Sequence, residues 1–525
     1  MKTVLCIGLF VIILFNIMKG KRIVHMETLF NRVLKYTLYM YIQLPIAIFM
    51  IGWLDVKYAV LFTTILIACN YRIVTKQKDV FAFKIKYDKE RINAMIIAGI
   101  VIAFWAYLSG IGGLCFQTSD HTCRNAIFEK LVNEEWPVVG QYQIDGGAVS
   151  TVQLVYYIGF WLPAAVFGKI FGITAGYYFQ MIWAFIGVFL TFMLICNYFD
   201  RVKIWYIFTL ILFSGWDIVG VLIMNPDVTN MMYYVDGESV YSLGSVAHLE
   251  WWCNFQFSSF TSQLFWVFNQ AIPCWIVLLM IIQMKKNNHM ILIMGSLLLC
   301  STFPFIGIIP FAVYSIFNRN YGCKFGKDWI KYFIRDTVTF ENVVGGGITG
   351  IISYLYLRAN YSSHMKNSNV IQHSTKAFLM MWIIFILLEV GVYFIIVYKF
   401  QKKNALFYIS LCWLAVCPLF SVGTSQDFCM RASIPALLIL VILIIDSVQK
   451  MYARRKYINL AIIVCALAIG AVTPLHEINR SVRYTANAYY TNENIVQESS
   501  THFMEGGNFS GYTEDDLFYR VFEKK

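Results

Sequence analysis

Fourteen apolar runs of 15 to 28 residues punctuate the chain, near 3–18, 36–54, 57–71, 93–115, 152–171, 174–198, 204–224, 264–284, 290–317, 340–357, 376–398, 404–421, 431–446 and 458–474. A helix needs ~20 mostly apolar residues to cross the hydrocarbon layer of a bilayer. So many runs of that length leave few options. Charged residues make up 14% of the 525, against roughly 25% in water-soluble domains, so the excess apolar surface must face lipid. The expected fold is an all-α, polytopic transmembrane helical bundle with about 12–14 membrane segments and with loops and short interfacial helices on one face. Disorder, collagen and coiled coil are excluded, because Pro (10) and Gly (33) are few and the apolar runs are continuous instead of heptad-spaced.

The 42 basic and 30 acidic residues give a net charge of +12. Basic residues crowd the linkers 19–35, 71–91, 319–335, 399–403 and 450–456, which the positive-inside bias places in the cytoplasm. The surplus is therefore a topology signal, and no nucleic-acid partner is implied. Segments 116–151, 225–263, 358–375, 422–430 and 475–525 then fall outside, and 225–263 holds Asp227, Asp236, Glu238 and Glu250 with no Lys or Arg. The chain divides into N-terminal helices with basic linkers (1–92), a core (93–474) and an outer-face tail (475–525). The first run, followed by Lys19, Lys21 and Arg22 with no small-residue cleavage site, suits a retained anchor better than a signal peptide. Thirteen cysteines, mostly inside apolar runs, imply no disulfide framework.

Two parity conflicts arise. Three runs separate the outer segment at 116 from the one at 225, and a single run of 28 residues separates two cytoplasmic linkers. Each conflict disappears if one element is broken or re-entrant. Ser214-Gly215 in 204–224 and Pro304 with Pro310 in 290–317 are the expected breaks. Non-helical backbone at membrane depth survives only when buried in protein or lining a cavity, although a proline kink in a continuous helix accounts for the second case equally well.

Polar clusters outside the basic linkers all fall on the outer side. The first, 117–147, holds Asp120, His121, Arg124, Glu129, Glu134 and Glu135, and its Ile127, Phe128, Leu131 and Val132 predict a short amphipathic helix on the bilayer surface. Asp120, at the exit of a span, is the foremost acid candidate. In the second, 225–270, interfacial belts explain any one aromatic ring, but Trp and Tyr also stack on sugars. His248 and Glu250 are not needed for anchoring. In the third, Asp427 and Arg431 stand four apart at the mouth of a span, suited either to a structural pair or to phosphate binding. The candidate catalytic residues are Asp120, Glu134, Glu135 and His248. The candidate substrate-binding residues are Glu250, Trp251, Trp252, Asp427, Arg431, Arg480 and Arg483.

Other motifs are set aside. Gly345-Gly346-Gly347-Ile348-Thr349-Gly350 matches a dinucleotide fingerprint but follows no strand, so helix packing through small residues explains it better. Cys115, His121 and Cys123 lack a fourth ligand at zinc spacing, so no metal ligands are assigned. No Walker A loop, GxSxG elbow or HExxH is present.

The succession of a span, an early loop acid (Asp120), Arg124-Asn125-Ala126-Ile127, Glu134-Glu135-Trp136-Pro137-Val138 and then LVYYIGFWLPAAVFGKIFG (154–172) resembles the first outer loop and second helix of the GT-C superfamily of polytopic membrane glycosyltransferases. The likeness covers residues 93–200, with the remainder similar in hydropathy. It implies a GT-C-like fold at the plasma membrane and a polyprenyl-phosphate-linked sugar donor. The acceptor would be a glycan, lipid or protein at the extracytoplasmic face. It also implies Asp120 as catalytic acid. His121 stands where many members carry a second acid; no cofactor is required by any motif, and a divalent metal is the one ion the likeness would admit. An inverting displacement needs a carboxylate to take the hydroxyl proton and a cation to hold the departing phosphate, roles that Asp120 and Arg431, or Arg480 and Arg483, could fill. That reading requires Asp120, His248 and Arg431 to face one cavity. The alternatives are a lipid-linked polysaccharide polymerase or ligase, which paired outer arginines would suit, and a transporter or flippase, for which Asp217 and Glu389 are the deep charges.

Overall fold

The structure, a computed structural model, describes residues 23–143, 149–224, 234–236, 239–241, 248–364, 376–420, 422, 427–492, 494–499, 509–511, 513 and 516–524. The first apolar run, 3–18, lies outside them. Among the described residues nine helices are long and apolar enough to cross a membrane, and the chain is a multi-pass helical protein.

Helices α1 (Ile23–Trp53), α2 (Val56–Lys76) and α3 (Lys89–Leu108) come first. Asp55 and Asp88 cap the second and third by accepting from the backbone N–H groups of Lys57 and Arg91, which satisfies donors the helix itself leaves orphaned. Next come α4 (His121–Asn133), strands β1 (Val139–Gln143) and β2 (Val149–Leu154), then α5 (Leu162–Phe171) and α6 (Ile173–Tyr198). A broken span follows, α7 (Trp205–Leu212) and α8 (Asp217–Met224), then a hairpin, β3 (Tyr234–Asp236) and β4 (Ser239–Tyr241), and the long α9 (Phe260–Gln283). Helices α10 (Met290–Leu298), α11 (Thr302–Phe317) and α12 (Lys327–Thr337) lead to α13 (Gly347–His364). The remaining helices are α14 (Lys376–Ile386), α15 (Val392–Gln401), α16 (Ala405–Val416), α17 (Asp427–Ala432), α18 (Ile434–Ala453), α19 (Tyr457–Gly470) and α20 (Val472–Thr491). A short β5 (Ser510–Gly511) joins β2 in a sheet of order β1-β2-β5. The expected all-α class thus carries a small antiparallel sheet.

Helix α9 is the axis of the bundle: 89% of its apolar window is buried, against 22% for α2, which stands at the perimeter. A helix apolar on every side belongs in a core. Contacts define two faces. On one, the Lys84 N–H donates to Asn197 (2.8 Å) and the Lys285 N–H to the Val80 carbonyl (2.8 Å), gathering the basic linkers. On the other, Ser481 bonds the Leu108 carbonyl (2.6 Å), and the tail seats against the exit of α1 through Lys524 N to Trp53 O (2.9 Å) and Asp55 N to Phe522 O (2.8 Å).

Both parity conflicts are resolved. The run 290–317 is re-entrant: Arg319 donates to the Asn287 side chain (2.8 Å) and Asn287 to the Ile316 carbonyl (3.3 Å), so both ends of the α10–α11 hairpin meet on the basic face. Its turn falls at Leu299–Ser301, and Pro304 and Pro310 lie inside α11. The first conflict has a different answer from the expected one. The run 152–171 is no span, because it contains β2, an irregular stretch and only the ten residues of α5. The expected break in 204–224 exists as well, at 213–216. The expected surface helix is α4, but its apolar face packs on α5 and α6 instead of lipid. Glycines permit that approach: a Cβ at Gly168 would stand 2.8 Å from Val132 and one at Gly176 would stand 3.1 Å from Phe128. The triple glycine packs as a small-residue surface, with a Cβ at Gly346 only 2.8 Å from the Leu292 backbone.

Candidate functional site

Away from the basic face, a cavity of about 190 Å³ is lined by Asp120, His248, Trp251, Trp266, Asp427 and Arg431, with Gln256 and Ser258 among the other walls. Four separate chain segments supply these groups. Asp120 precedes α4, His248 to Trp251 form a 3₁₀ turn, Trp266 stands on α9, and Asp427 and Arg431 lie on α17.

Arg431 is the cavity's cation. It pairs with Asp427 at 2.8 Å, four residues back on the same short helix, while its buried Nε has no partner among the described residues. Burial alone would lower its pKa, but Tyr157, Asp427 and Tyr156 more than offset this, so the guanidinium stays charged. Asp120 lines the same cavity, its carboxylate half exposed, with Oδ2 bonded to Arg124 at 2.8 Å. Arg124 is itself buried, and its Nη1 has no hydrogen-bond partner among the described residues.

His248 lines the cavity but is held as a structural cation. Its Nδ1 bonds Glu477 at 3.0 Å and its Nε2 lies 3.2 Å from Glu250. Burial disfavours the imidazolium, yet the two glutamates outweigh it and push its pKa up to about 10. The same imidazolium holds the Glu250 carboxyl below the usual range although burial acts the other way. Arg480 completes the set, pairing with Glu477 at 2.7 Å and lying 5.2 Å from the centre of the Trp266 ring. Two cations thus face two anions, and Trp266 and the Ser259 N–H supply further bonds to the glutamates. Buried ion pairs persist when their remaining lone pairs are satisfied in this way. Above them Trp251 and Trp266 meet edge to face, 6.0 Å apart, as an aromatic wall.

Several sequence candidates stand elsewhere. Glu134 pairs with Lys130 (2.5 Å) at the far end of α4, and Glu135 lines a separate recess beside Trp136 and Lys169. Trp252 turns away and donates to Glu389 at 2.9 Å. Glu250 lies beneath His248 and lines no part of the cavity; Arg483 is exposed on α20. His248, expected as a catalytic group, has both ring nitrogens engaged by glutamates, Glu477 at Nδ1 and Glu250 at Nε2. Gln256 escapes a sequence reading, since an amide in an aromatic-rich stretch has no distinguishing spacing; Trp266 falls in the aromatic stretch 225–270 and Tyr156-Tyr157 in the segment 154–172 that the sequence marks, but no pattern there picks out the individual rings. His121 is buried behind Phe268, and burial, helped by Arg124, drives its pKa well down, so it is neutral. Among the described residues no group of three or more His, Cys, Asp or Glu side chains is arranged to hold a metal ion. Comparison with family models, with curated proteins and with solved structures returned no match.

Proposed function

We propose that the protein is a GT-C-like membrane glycosyltransferase that moves a sugar from a polyprenyl-phosphate donor to an envelope glycan, lipid or protein acceptor on the extracytoplasmic side. The observation that carries this reading is the meeting of Asp120 and Arg431 at one tryptophan-walled cavity. Its volume of about 190 Å³ lies below the ~300–1,000 Å³ of sites for drug-sized ligands, which suits one sugar ring better than an oligosaccharide. The acceptor hydroxyl attacks the anomeric carbon as the bond from that carbon to the phosphate oxygen breaks. Asp120 takes the hydroxyl proton, and Arg431 receives the charge developing on the lipid phosphate. Trp251 and Trp266 offer ring faces to the sugar.

The test is release of polyprenyl phosphate by purified protein from a panel of polyprenyl-phosphate monosaccharides. Asp120→Asn should lower turnover by about 10²–10⁴-fold with expression intact; unchanged turnover would remove the reading. A transporter or flippase reading is favoured by a different observation. Asp217, in the broken span α7–α8, and Glu389, in the π-helical turn 387–391, are both buried, and their carboxyl groups interact with one another. Ser214 (2.7 Å) and Thr473 (2.8 Å) donate to Asp217. Deep paired acids at broken helices suit ion-coupled transport. If that reading holds, Glu389→Gln is the dead variant in a leaflet-transfer assay and Asp120→Asn is active.

A further inference from the structure

A cavity of about 420 Å³ opens on the basic face, far from the tryptophan-walled one, with Arg32, Lys35, Lys78, Lys84 and Lys86 in its walls. None of these five cations forms an ion pair among the described residues. The positive-inside bias accounts for lysines on a solvated linker. It does not account for Lys35, which is only 8% exposed on α1. Its ammonium donates to the Lys78 carbonyl (2.9 Å), packs near the Tyr39 ring (5.9 Å) and forms no direct ion pair among the described residues; the carboxylate that acts on it from a distance is Asp79, exposed on the linker. A mostly buried ammonium without a contacting counter-ion, beside four further unpaired cations, makes this wall suited to an anion.

What kind of anion is indicated by the adjoining space. Tyr36 and Val74 are shared with a second cavity of about 270 Å³ that runs between α1 and α2. Met40, Leu44, Ala47, Leu66 and Ile67 make it apolar, and Met40 (46% exposed) and Ile67 (64%) leave it open sideways toward lipid on the perimeter helix α2. Polar groups interrupt this groove at Gln43, Thr63 and Asn70. Gln43 is buried, its carbonyl oxygen accepts from Asn70, and its Nε2 donor has no partner among the described residues. Eight residues separate Lys35 from Gln43, ~12 Å along a helix, so the free amide lies within the groove on the bilayer side of the head pocket. A diacyl lipid whose phosphate seats at the mouth of this groove offers ester carbonyls to such a donor, whereas a polyprenyl phosphate offers only hydrocarbon beyond its phosphate.

We propose that residues of α1, α2 and the 77–88 linker bind an anionic glycerophospholipid of the basic-face leaflet, with its phosphate among the five cations, an ester carbonyl on Gln43 and an acyl chain along the groove. The proposal is independent of the transferase reading.

Native mass spectrometry of the full-length protein in mild detergent, titrated with phosphatidylglycerol, phosphatidylcholine, polyprenyl phosphate or inorganic phosphate, tests it. Wild type should retain phosphatidylglycerol in preference to the other three. The triple variant Lys78→Gln, Lys84→Gln, Lys86→Gln leaves Lys35 in place and should bind about a hundredfold more weakly, at roughly fivefold per lysine. Gln43→Leu should weaken binding about three- to tenfold. A control triple on the same face, Lys402→Gln, Lys403→Gln, Arg454→Gln, should bind as wild type. Equal losses in both triples would reduce the effect to diffuse surface charge and overturn the site. Displacement by inorganic phosphate, or equal binding of polyprenyl phosphate with Gln43→Leu silent, would overturn the lipid assignment. A thermal transition matching wild type in each variant separates lost binding from lost fold.

Discussion

His248 shows how far a residue's identity stands from its role. Its type marks it as a group that anchoring does not need, but its charge is decided by Glu250, two positions away, and by Glu477, which lies 229 residues along the chain. No local pattern carries that second partner. The folded pKa of about 10 stands above the ordinary 6.5, so the imidazolium's contribution to stability is complete below pH 6.5 and is lost as pH rises toward about 10. Thermal melts of the purified protein across that window should show a fall in Tm with rising pH, and His248→Gln should flatten that part of the profile. Removing one anion instead strands buried cations. Glu477→Gln should destabilise by about 3–5 kcal/mol, read as a lowered Tm at neutral pH. The Asp427–Arg431 pair, by contrast, was legible, because its i, i+4 spacing is a property of one helix.

At the scale of elements, hydropathy locates apolar helices well and assigns their membrane crossing poorly. Helix α5 is as apolar as a span yet too short to be one, since the same residues serve a protein interior as readily as lipid. The prolines of 290–317 pointed to the right segment, but the turn sits at Leu299–Ser301, where the Gly159 N–H donates to the Leu299 carbonyl (3.1 Å) and the Ser301 hydroxyl to the Gln270 carbonyl (2.9 Å). Those partners come from distant elements and leave no local mark. The hairpin also positions the site. A Cβ at Gly307 of α11 would collide with the Ala432 carbonyl and stand 3.0 Å from Pro435, at the end of the short helix that carries Arg431. Gly307→Ala should therefore cost about 1–3 kcal/mol by overpacking and, on the proposed transferase reading, weaken binding of the sugar donor although it touches no cavity group. Donor titrations with the variant check this; unchanged apparent affinity would show that α17 is positioned from elsewhere.

For the whole molecule, charge patterning delivered the sidedness that single helices could not. The basic linkers do gather on one face, and the acids and arginines of the tryptophan-walled cavity lie on the other. In a background with the thirteen native cysteines replaced, Lys402→Cys and Asn492→Cys should react with a membrane-impermeant maleimide from opposite sides of sealed vesicles. Labelling from the same side would refute the arrangement. The seating of residues 522–524 on the exit of α1 bears on synthesis as well. The ribosome makes Trp53 and Asp55 almost a full chain length before Phe522 and Lys524, an interval of tens of seconds at ~5–20 residues per second. Throughout that wait the exit of α1 presents an open seam, which closes only when residues 522–524 have been made. A product that stops short of Phe522 keeps that seam exposed.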